Sequence, residues 1–66
     1  MDYHYVIVNE FGNKIAYKFL LSFEAEKFKE QYLLDNQKEQ HKNIELIFAG
    51  YLSFSDFEIV EVKRVD

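Results

Sequence analysis

Residues 3–9 run Tyr-His-Tyr-Val-Ile-Val-Asn, aromatic and β-branched without a break, and this predicts a strand. Gly12-Asn13 follows between two strand-like runs, and both residues tolerate positive φ, so the spacing predicts a short hairpin. Lys14–Leu21 is the returning strand. Its side chains divide into Ile15, Tyr17, Phe19 and Leu21 on one face and Lys14, Ala16, Lys18 and Leu20 on the other. The period then changes. From Phe23 to about Asn36 the apolar positions Leu21, Ala25, Phe28 and Tyr32 recur at helical spacing, with Leu33 beside them. Ser22 is placed to cap the helix start, Glu24 and Glu26 fall in the first turn, and Asn36 is placed to end it. Asp35–Asn43 contains no apolar residue, so the helix is expected to end between Asn36 and Gln40. Ile44–Ala49 predicts a third strand, which Gly50 interrupts. Tyr51–Asp56 reads as a turn region and Phe57–Val65 as a fourth strand.

The order β-β-α-β-β predicts an α+β two-layer sandwich, one helix on one face of a four-stranded sheet. The 66 residues make one domain, residues 1–66. These element lengths and spacings resemble a minimal β-grasp domain. That resemblance implies that the first and last strands pair in parallel at the centre, with the second and third strands at the edges. An all-antiparallel sheet is the alternative. The resemblance is architectural and implies no functional residue.

One helix covers one face of such a sheet, and the other face should then alternate towards polar residues. The strands do not. Tyr3, Tyr5 and Ile7 lie on one side of the first strand and His4, Val6 and Val8 on the other; the third strand sets Ile44, Leu46 and Phe48 against Glu45, Ile47 and Ala49. The apolar surface exceeds what the helix stripe covers, so a second sheet face or an edge is expected to be an interface. Ile44–Ala49 carries one charge and no Pro, which on an edge invites pairing with another chain. The candidate interface residues are Tyr3, Tyr5, Tyr17, Phe19, Ile44, Leu46, Phe48 and Tyr51.

Composition narrows the function classes. There is no Cys, Pro, Trp or Thr, and only two Gly, which excludes a disulfide scaffold and a Cys-based zinc module. Five Tyr and seven Phe supply the bulk that a short chain needs for a core. The net charge is −4, and it is uneven: residues 1–22 are neutral, residues 23–43 carry −1 and residues 44–66 carry −3. Eight Lys and Arg diluted by twelve carboxylates do not form a phosphate-binding surface, so nucleic acid is a disfavoured partner. Asp2 stands where a secretion signal would carry cations, and the longest uncharged run, Leu46–Ser55, is far short of the ~20 residues of a spanning helix. No membrane partner is expected, and the cytoplasm is the default compartment.

The chemistry-bearing residues are sparse. His4 and His41 stand far apart with no ligand spacing around them, so no metal is expected. Ser22, Ser53 and Ser55 are explained by capping and turns, and a catalytic triad needs a pocket that a chain this short rarely encloses. Gly12 and Gly50 are isolated and build no phosphate loop. No cofactor and no small-molecule ligand is expected, and the chain does not read as an enzyme. The leading expectation is a small acidic, regulatory protein-interaction module that binds a protein partner, forms a homodimer, or does both. Two alternatives stand beside it. One is a nucleic-acid mimic of the phage or prophage type, presenting Glu45, Asp56, Glu58, Glu61 and Asp66 together with Glu24, Glu26 and Glu30 to a DNA-binding enzyme. The other is single-stranded nucleic-acid binding on an aromatic sheet face, Tyr3, Tyr5, Tyr17 and Phe19.

Overall fold

The computed structural model describes residues 2–37, 42–50, 52 and 58–65. Its elements are β1 (Tyr3–Glu10), β2 (Asn13–Phe19), α1 (Ser22–Asp35), β3 (Lys42–Ala49) and β4 (Ile59–Arg64). One helix packs on a four-stranded sheet, the expected α+β two-layer arrangement. The strand order is β3-β1-β2-β4. β1 pairs antiparallel with both β2 and β3, and β2 pairs in parallel with β4. The sheet is therefore mixed. Its centre is the β1–β2 hairpin, not a β1–β4 pair, and its edges are β3 and β4, so the β-grasp strand order and the all-antiparallel order are both replaced.

The hairpin closes through Phe11-Gly12 and not Gly12-Asn13, because Glu10 pairs with Asn13. Phe11 has φ 53° and Gly12 has φ 84°, the two consecutive positive values that a type I′ loop requires. Gly12 adopts this freely, whereas a side chain with a Cβ meets its own backbone there. Phe11 is also 75% exposed. Phe11→Asn is therefore expected to stabilise the fold by about 0.5–1 kcal/mol, raising Tm by a few degrees in a thermal melt. A lower Tm would show that the contacts of the ring outweigh its backbone strain.

Cross-strand partners share a face, so the register sorts the side chains. Val6 lies opposite Tyr17 and Leu46, and Val8 opposite Ile15 and Ile44. With Phe19 they form the layer that receives Ala25, Phe28 and Tyr32 of α1. On the second face Tyr5, Ile7 and Ala16 are buried with Leu52, and Tyr3, Ile47 and Ile59 pack around them. Tyr5 through Val8 are all buried, as befits a central strand covered on both sides.

The chain's direction explains that cover. β2, β3 and β4 all run the same way, since β1 is antiparallel to β2 and β3 while β4 is parallel to β2. The crossover from β2 to β3 travels across the sheet one way, and the crossover from β3 to β4 travels back. Crossovers between parallel strands share one hand almost without exception, so opposite directions place them on opposite faces. α1 lies on the first face, and Leu52, in the β3–β4 connection, is 6% exposed on the second. Of the two places expected for an interface, a second sheet face or an edge, the middle of the second face is occupied by Leu52. Ile7, on that second face, is only 1% exposed within the protomer.

α1 begins at Ser22, and its N-cap is Leu21, whose carbonyl accepts from the N–H groups of Glu24 and Ala25. Ser22 is thus the first helical residue, and no side chain caps this end. At the other end Asn36 is the cap, as its residue type predicts. Its backbone N–H and its Nδ2 both donate to the Tyr32 carbonyl, at 3.0 and 2.9 Å. The last turn holds no basic residue, and Lys42 of β3 supplies the cation instead, donating to Asn36 Oδ1 at 2.9 Å. The Tyr32 hydroxyl donates to Glu10 Oε1, and Lys42 Nζ lies 3.7 Å from the same oxygen. This half-buried polar group ties the hairpin end of β1 to the helix terminus and to the start of β3.

Candidate functional site

The eight candidate interface residues do not form one surface. In β1 and β2 the partner positions add to an odd number, so odd positions of β1 share a face with even positions of β2. Tyr3 and Tyr5 consequently lie on the second face with Lys18 and Ala16, while Tyr17 and Phe19 lie under the helix. Tyr5 and Phe19 are core residues. Lys18 Nζ sits 3.7 Å above the Tyr3 ring, a cation–π contact that covers the tyrosine. Ile44 and Leu46 are half-buried against the helix layer. Phe48 is exposed at its margin and meets His4 edge to face at 5.6 Å. Tyr51 lies outside the described residues, as do His41, Ser53, Ser55, Asp56 and Asp66. The aromatic side chains of β1 and β2 therefore present no single stacking platform. Of the strand carboxylates in the nucleic-acid-mimic set, Glu45 belongs to the second face and Glu61 to the helix face.

A concave surface does occur, on the helix side of β4. A helix is ~10 Å across and covers about two strands at their ~4.8 Å spacing. α1 rests chiefly over β1, β3 and β2, and Val65, just past β4, packs against the same layer. Between α1, Phe19 at the end of β2 and Val65 just past β4 lies a groove of about 460 Å³. Phe19, Phe23, Phe28 and Val65 line it, together with the polar side chains of Glu24, Lys27 and Gln31. Phe23 is 67% exposed, on the flank of α1 that faces away from β3. Lys27 Nζ stands 5.7 Å from the centre of its ring.

β4 itself is the second element of this surface. Only β2 hydrogen-bonds to it among the described strands. Val60 and Val62 are 65% and 43% exposed. Opposite Ile15 and Tyr17 the strand carries Glu61 and Lys63, on the helix face. Phe23, Val65 and the charge order of β4 were not singled out by the apolar count, because that count weighed whole sheet faces and not what the helix leaves uncovered.

No group of three or more metal-ligating side chains converges among the described residues. No described helix is long and apolar enough to cross a membrane. Comparison with protein-family models, curated proteins and solved structures finds no match to the chain.

Proposed function

We propose that the chain is a small, non-enzymatic protein-interaction module that self-associates, with its contact surface at the β4 edge and the groove beside it. The observation that carries this reading is the pair of exposed valines on the edge strand β4, with an apolar groove and an exposed Phe23 near the strand's end at Val65. An edge strand presents unpaired N–H and C=O groups, and an added strand satisfies them. Recognition by strand addition takes its affinity from those main-chain bonds and its selectivity from neighbouring side-chain pockets. β4 offers the edge, and the groove that Val65 lines just past its end offers a pocket. The net charge of −4 keeps such a surface soluble at low concentration without preventing a selective contact.

Sedimentation and light scattering across concentration test the reading. A six-residue edge with a small groove falls at the low end of interface sizes, so dissociation constants from about 1 µM to about 1 mM are expected. The average mass is expected to rise towards that of a dimer over this range. A particle that stays monomeric up to about 1 mM is incompatible with self-association.

A further inference from the structure

We propose that the partner on the β4 edge is a second copy of this chain, paired antiparallel through β4 about a two-fold axis at Val62, so that Glu61 of each copy opposes Lys63 of the other. This rests on the self-association reading and adds to it a strand, an orientation and a register.

The hydrogen-bond pattern fixes which groups are available. The Val65 N–H donates to the Lys18 carbonyl, so position 65 turns its main chain towards β2. Alternate residues of a strand turn their N–H and C=O to opposite edges. Positions 61 and 63 therefore face β2 as well, and Val62 directs its N–H and C=O to the open edge. Two identical strands pair antiparallel only when outward residues meet outward residues, which requires the two opposing positions to add to an even number.

Three registers of β4 with itself keep the axis within the strand's centre. An axis at Glu61 sets Glu61 against Glu61, and an axis at Lys63 sets Lys63 against Lys63. Each opposes like charges directly, which destabilises a sheet pair. An axis at Val62 sets Glu61 against Lys63 twice, once on each side, with Val62 bonded to its own copy. The order Glu-Val-Lys is its own complement when reversed. Glu61 and Lys63 meet as a non-hydrogen-bonded pair, the closer of the two antiparallel spacings, with ~4.5–5.5 Å between Cβ atoms. Charges that would otherwise repel a second strand thereby select one orientation of it. The opposite edge lacks this property. β3 carries only Lys42 and Glu45, and these positions add to an odd number, so no permitted register opposes them.

Charge reversal tests the register. Lys63→Glu places two Glu–Glu pairs in each dimer, and Glu61→Lys places two Lys–Lys pairs. Each is expected to weaken dimerisation tenfold or more in sedimentation equilibrium at low salt. The double variant Glu61→Lys with Lys63→Glu restores the opposite pairs and is expected to return within about threefold of the parent. Both positions are exposed, so the fold is expected to persist, and far-UV circular dichroism checks it. A dimer as tight in both single variants as in the parent overturns the register while leaving self-association standing. So does a double variant that stays as weak as the singles. A parent chain that never dimerises overturns both proposals.

Discussion

Leu52→Asp is expected to leave the chain largely unfolded, and Leu52→Ala to remove about 2–5 kcal/mol of stability. Leu52 is a single side chain in a connection, yet it lies on Tyr5, Ile7 and Ala16 at the middle of the second sheet face. Truncation strips apolar contact from all three and exposes β1, whose burial on both faces defines the core. Total stability for a chain of this length is about 3–10 kcal/mol, so the loss takes a large share of it. Leu52→Ala is expected to lower Tm by at least 10 °C, with increased binding of an apolar dye to the opened face. A shift of less than about 4 °C would show that the second face is held by something other than Leu52.

The second large effect is expected at Phe28, where truncation to alanine costs about 3 kcal/mol. Its ring lies 4.7 Å from Tyr17, 5.2 Å from Phe19 and 5.7 Å from Tyr32, all in tilted arrangements. These rings are the seam between α1 and β2, and the helix has only Ala25 fully buried to hold it otherwise. The partial exposure of Phe28 sets the figure at the lower end of the range for such substitutions. Urea denaturation followed by near-ultraviolet circular dichroism checks it, since loss of the seam removes the fixed aromatic environment. A variant within about 1 kcal/mol of the parent would place the anchoring of α1 in the Glu10–Tyr32–Lys42 group instead.

The elements were legible in the sequence because each is local. Alternation gave the strands, the change of period gave α1, and Asn36 was identified as its end. The turn was off by one residue because Gly-Asn is the stronger residue signal, yet pairing of Glu10 with Asn13 forces Phe11 into the loop. Ser22 was expected as the cap on residue type, but the chain enters the helix one residue earlier, at Leu21. Strand order was not legible. It depends on which face the β3–β4 crossover takes, and that rests on long-range packing by one leucine in a stretch that reads as a turn. The same gap hid that the candidate residues divide between two faces. Apolar residues counted as surplus on the second face are the partners of Leu52, and the uncovered surface moved to the β4 side of the helix.

A crossover that returns over the opposite face also orders events in time. The hairpin of β1 and β2 closes through two residues, a microsecond process for such a loop. β4 pairs with β2 across about 45 residues of sequence, so its ladder is the least local of the sheet. It is also the strand with the least contact to α1. β4 is then expected to be the strand that detaches most readily, baring β2 while the rest of the sheet stays folded.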